Sequence, residues 1–134
     1  MNGGVMLAVL RIVSGLLFLE HGLQKLTGFP PIADPTHVVP LNSMAGIAGF
    51  FELGCGLLIA IGLFTRVAAF LASGTMAVAY WTVHAQMGLF PVNNMGDAAI
   101  LYCFVFLYLV FARAGPLSVD AARAGKAPPA PPQD

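Results

Sequence analysis

The chain has 134 residues, 58% of them hydrophobic and only 9% charged, with a mean hydropathy of +0.83. Six basic and six acidic side chains cancel, so there is no basic field to gather nucleic acid and no acidic one to hold a cationic partner. Charged residues make up about a quarter of an ordinary soluble domain; so few cannot cover this chain in water, and the solvent around most of it is lipid.

A helix crosses about 30 Å of hydrocarbon with roughly 20 apolar residues at about 1.5 Å each. Four stretches fit: Gly4 to Lys25, Leu41 to Leu63, Arg66 to Met87 and Asp97 to Arg113. A lipid-embedded barrel would alternate apolar and polar residues, whereas Gly54 to Phe64 and Ala98 to Ala112 are apolar on every face. The expected fold is an all-α membrane protein, a four-transmembrane-helix bundle, over residues 1–120.

The first stretch lacks a basic start and a small-residue cleavage site, so it reads as a helix and not a signal peptide. At 100° per residue Arg11, Ser14, Gly15, Phe18, His21, Gly22 and Lys25 share the face turned to the bundle, and Glu20 points away. The loop from Leu26 to Pro40 holds Pro30, Pro31, Pro35 and Pro40 and is expected to be irregular. In the second stretch Ala48, Glu52, Gly56 and Ala60 form a seam of small residues around a carboxylate, the pattern that lets helices approach closely in lipid. Only Phe64 and Thr65 separate it from the third, which makes the two antiparallel neighbours.

In the third stretch Ser73, Ala77, Tyr80 and His84 align. Pro91 and the pair Asn93-Asn94 announce the start of the fourth. There Asp97, Phe104, Tyr108 and Phe111 fall on one face, expected to turn inward, so that Phe18, Tyr80 and Tyr108 would wall an interior pocket. Gly115-Pro116 stops the helix, and the Ala/Pro-rich segment 121–134 has nothing to bury and is expected to be disordered. Cys55 and Cys103 lie on different helices, roughly 10 Å apart in depth, beyond the ~7 Å between Cα atoms that a disulfide tolerates; they read as packing residues.

An ionisable group inside a span needs a partner or a purpose. Seven qualify: Arg11, Glu20, His21, Lys25, Glu52, His84 and Asp97. Counted from the ends of their spans, Arg11 and Glu52 lie roughly 10 and 16 Å deep, and the expectation is an ion pair between them that either fixes register or also touches a ligand. Lys25 is expected to snorkel to water, Asp97 to cap the fourth helix, and the two histidines to hydrogen-bond near the membrane surface. No His-x-x-x-His or Glu-x-x-His spacing is present, so no metal site is expected. Arg66, Arg113, Arg123 and Lys126 at one end against Lys25 at the other place both termini in the cytoplasm.

The run from Arg11 to Lys25 with His21-Gly22, then Glu52 with Gly56, Gly62-Leu63-Phe64-Thr65-Arg66, His84 and finally Gly115-Pro116-Leu117-Ser118-Val119-Asp120 resembles the DoxX family of small bacterial four-helix membrane proteins over residues 7–120. Leu117 stands where that family often has a second glycine. The resemblance implies an inner-membrane location and an association with redox and detoxification systems, the family's name coming from a subunit of a membrane thiosulfate:quinone oxidoreductase. The matching positions are Arg11, His21, Lys25, Glu52, Arg66 and His84, with Asp97 where relatives often have another polar residue. The function expected is a membrane subunit of a redox system handling a quinone or a small sulfur compound. Quinone is the candidate ligand, and a homo-oligomer or a partner oxidoreductase subunit the candidate company. No flavin, haem or nucleophile motif marks the chain as a complete enzyme. A small-molecule binder or transporter and a membrane anchor are the competing readings.

Overall fold

The computed structural model of the protein describes residues 2–33 and 39–125. The expected irregular loop falls partly, and the expected disordered tail mainly, on residues outside those. Six helices follow in order: α1 (Gly3–Thr27), α2 (Met44–Ile61), α3 (Thr65–Ala79), α4 (Pro91–Asn94), α5 (Asp97–Ala112) and α6 (Val119–Ala124). α3 runs on without a break through a π-helical turn, Tyr80–His84, and a 3₁₀ turn, Ala85–Met87. The segments Gly3–Thr27, Met44–Ile61 and Thr65–Met87 are long and apolar enough to cross a membrane. α5 is apolar but has 16 residues, about 24 Å by its rise.

Local chemistry sets the helix ends. The Asn2 side chain accepts from the Val5 amide and Ser43 from Gly46, each at 3.0 Å, satisfying amides that have no partner within the helix. Ser43 starts α2 three residues later than the hydrophobic run suggests. The first residues of the segment expected to lack structure, Ala121 to Ala124, belong to α6, which Ser118 caps through the Ala121 amide.

The bundle is two tight helix pairs leaning on each other. α1 packs most extensively on α2, and α3 on α5, while α2 and α3 meet more lightly. Glycines make the first pair close: a Cβ on Gly15 would stand 2.6 Å from the Ala60 nitrogen, and one on Gly56 2.5 Å from that of Leu19. In lipid, where no hydrophobic force drives helices together, such backbone approach supplies the dispersion contact that holds them. Alanines 68, 69 and 72 of α3 are buried in one cluster with Phe106 and Leu109 of α5. Between the pairs, Phe18 of α1 packs on Phe106 and Tyr102 of α5 with ring centroids 4.8 and 5.7 Å apart.

α5 is turned the other way from the expected face. Phe104, Tyr108 and Phe111 are exposed toward lipid, and Ala99, Phe106 and Leu109 fill the core. The helix is apolar on all sides, so its sequence carries no periodic signal of the inward face, and Asp97, the charged residue on the expected face, is itself exposed. The interior pocket walled by Phe18, Tyr80 and Tyr108 is therefore absent: Phe18 is sealed in the core and Tyr108 faces out.

Candidate functional site

Arg11 is fully buried, and its guanidinium meets carbonyls, not Glu52. Nε donates to Ala114 O at 2.9 Å, Nη1 to Ile59 O at 2.8 Å and Ala60 O at 2.6 Å, and Nη2 to Leu117 O at 2.8 Å. These oxygens end α2 and follow α5, where carbonyls lack helical partners and the helix dipole is negative. The planar fork of donors suits several carbonyls at once. The expected Arg11–Glu52 pair fails on register. The Arg11 guanidinium reaches Ile59 and Ala60, whereas Glu52 lies level with Gly22, eleven residues or roughly 16 Å further along α1. Counting both helices from a common membrane edge misplaced them, because α1 extends past the end of α2 to pack Gly4 on Pro116.

The Gly115 to Asp120 segment folds back under the α2–α3 turn. Asp120 accepts from the Phe64 amide at 2.9 Å and the Thr65 amide at 3.0 Å, so a distant carboxylate caps α3. Gly62, at φ +72°, leaves no room for a side chain between Ser118 and the Arg11 guanidinium. Burial by itself would raise the Asp120 carboxyl, but the hydrogen bonds from Thr65 and Phe64, helped by Arg123, outweigh it and hold the group below the ordinary carboxylate range. Asp120 is thus a structural cap, at the opposite end of α2 from the Lys25–Glu52 pair.

Lys25 does not snorkel. Its Nζ lies 2.6 Å from Glu52 Oε1, with the lysine side chain 32% and the glutamate 2% exposed. The reason is local: Gly49 leaves space for the lysine stem to pass over α2, one turn from the carboxylate. Glu52 Oε2 is buried with no hydrogen-bond partner among the described residues, so the pair holds an unspent acceptor as well as the two N–H groups that Lys25 does not use on Glu52.

Beside this pair lies an open groove of about 680 Å³ between α2 and α3, on the side where the two helix pairs meet lightly. Met44, Ala48 and Phe51 form one wall, Phe70, Gly74 and Val78 the other, and Lys25 is its one charged lining residue among the described residues. Met44, Phe70 and Val78 are well exposed, so the groove is reached sideways from the hydrocarbon. A Cβ on Gly74 would meet nothing within 4 Å; the groove is wide there because this residue lacks a side chain.

The structure does not bring the histidines together with this pair. His21 is exposed, its Nδ1 2.7 Å from Leu17 O and its ring edge-on to Tyr102. His84 Nδ1 lies 3.0 Å from Asn94 O. Because both partners are carbonyls, each Nδ1 carries the hydrogen. The fully buried Asn94 donates to Tyr80 Oη and Gly88 O and accepts from the Gly96 amide. His84, Tyr80 and Asn94 thus tie the connection between α3 and α5. Asp97 lies in the first turn of α5, but Gly96 occupies the cap position and no side-chain cap bond is made. Among the described residues no cluster of three or more potential metal ligands occurs.

Fold and polar layout together define a small helical membrane protein. A model of the DoxX family matches residues 6–85, and the chain belongs to that family. It is 41% identical over 117 residues to an uncharacterized protein of Haemophilus influenzae, covering 85% of this chain and 87% of that one. A second uncharacterized Haemophilus influenzae protein is 30% identical over 126 residues, 89% and 83% of the two chains. A Bacillus subtilis protein named "Putative oxidoreductase CatD" is 31% identical over 106 residues, 78% of each. No solved structure matches.

Proposed function

We propose that the protein is the quinone-holding membrane subunit of a redox system in the bacterial inner membrane, with the ring head at Lys25 and the hydrocarbon tail along the α2–α3 groove. The observation that carries this is the union, among the described residues, of one ammonium group with N–H groups not used on Glu52 and a mainly apolar groove open to lipid. Sites for such ligands are mostly apolar, with a few convergent polar groups that orient the head. A quinone carbonyl accepts from Lys25, which holds and orients the ring; the groove walls exclude water from it. The name of the Bacillus subtilis relative favours redox chemistry over a bare anchor. The electrons belong to a partner oxidoreductase subunit.

Arg66, Arg113 and Arg123 lie at the end that carries both termini, which the positive-inside rule assigns to the cytoplasm. The Lys25–Glu52 pair then stands in the outer half of the bilayer.

Extraction of the protein into native-lipid nanodiscs, followed by mass spectrometry of the retained lipids, tests the reading. Wild type should carry quinone approaching one per chain, and Gly74→Phe, which fills the groove without touching the polar pair, should carry little. Equal retention by both, or none by wild type, removes the groove as the site.

A further inference from the structure

We infer that Glu52 sets the charge class of the ligand: by pairing with Lys25 it makes the head site electrically neutral, so the site takes an uncharged carbonyl head and rejects anionic amphiphiles such as fatty acids. This rests on the groove reading above and deepens it. An ammonium at the end of an apolar groove would by itself be an anion site, and a fatty-acid carboxylate with its chain in the groove would be the natural occupant in a membrane. Glu52 alters that. Its Oε1 lies 2.6 Å from Nζ, and the carboxylate is buried so completely that solvent cannot compensate it.

An anionic head arriving at Lys25 would leave two negative charges sharing one positive charge in a low-dielectric site, and Glu52 Oε2 already lacks a partner among the described residues. A buried charge without compensation is expelled or neutralised. The other described groups near the pair offer no relief. On α1, Glu20 adds negative charge and His21 is committed to Leu17 O; Tyr102 on α5 is within electrostatic reach of Glu20 and Glu52. The α3 wall of the groove is uncharged, and Arg11 is spent on carbonyls at the far end of α2. An anion can therefore enter only together with a proton, taken by Glu52 or by the head itself. A quinone carbonyl adds no charge and takes an N–H that Lys25 does not use on Glu52.

Titrating the protein in phosphatidylcholine nanodiscs with a decyl-chain benzoquinone and with dodecanoate, read by native mass spectrometry, separates the possibilities. Wild type should prefer the quinone, and its dodecanoate affinity should fall as pH rises, by up to about tenfold per pH unit for one linked proton. Quinone affinity should not change. Glu52→Gln removes the negative charge and should shift the preference toward dodecanoate by about tenfold or more while flattening its pH slope. Lys25→Gln with Glu52→Gln restores neutrality, so it should bind dodecanoate no better than wild type, a comparison that stands even where the single variant fails to fold. If quinone binds wild type and Gly74→Phe blocks it, but neither Glu52→Gln nor the double variant behaves as stated, the charge inference is wrong and the groove reading survives. Binding of neither probe to wild type overturns both.

Discussion

Arg11 carries a full charge into the bundle and, among the described residues, forms no ion pair; it ties α1 to the last carbonyls of α2 and to the strand of backbone after α5. Hydrogen bonds to a charged group contribute about 1.5–3 kcal/mol each, and four carbonyls depend on this one side chain. Arg11→Gln should therefore lower stability by about 3 kcal/mol or more, read as thermal unfolding in detergent. The double change of Lys25 and Glu52 to glutamine should cost less, since replacing both members of a buried pair leaves no uncompensated charge. A milder effect for Arg11→Gln than for the double variant would contradict the assignment of Arg11 to architecture and of the pair to the ligand. That Arg11 and Glu52 face the bundle is legible in the sequence, but their separation is not: register between α1 and α2 is set by where Gly15, Gly22 and Gly56 let backbones touch, which span counting does not reveal.

The α2–α3 turn and the segment ending in Asp120 act as one latch. Asp120 is held ionised by the Phe64 and Thr65 amides. A carboxyl whose folded value lies below its unfolded one, ordinarily about 4, stabilises the fold above that pH, and the contribution is lost as pH falls through the folded value. Asp120→Asn should lower stability at neutral pH by about 1 kcal/mol, as for loss of a helix cap, and the gap to wild type should close as unfolding is measured at progressively lower pH below about 4. A gap that persists at acid pH would mean that the charge is irrelevant there. Both halves of this latch were readable as short glycine-bearing motifs, yet their mutual contact spans 56 residues, and no local pattern encodes it. The α5 helix shows the opposite failure. Its uniform apolarity announces lipid clearly, but the same uniformity erases the periodic signal that tells the inward face from the outward one.

At the scale of the molecule, the two-pair architecture leaves a lateral groove between α2 and α3, and the positive-inside rule predicts its orientation. Cysteines placed at Val92 and at Arg123, both exposed and at opposite ends of the bundle, test the orientation. A membrane-impermeant thiol reagent applied to intact cells should modify the first and spare the second, and the reverse pattern would put the groove in the inner leaflet. The groove itself was invisible in the sequence, because it depends on a light α2–α3 contact and on the missing side chain of Gly74. The most direct measurement of its role is photo-crosslinking in native membranes with an azide-bearing isoprenoid quinone, followed by peptide mapping. Label should concentrate on Met44 to Phe51 and Phe70 to Val83, and fall away in Gly74→Phe. Label spread over the lipid-facing surface of α5, around Phe104 and Phe111, to the same extent as over the groove would contradict a quinone site between α2 and α3.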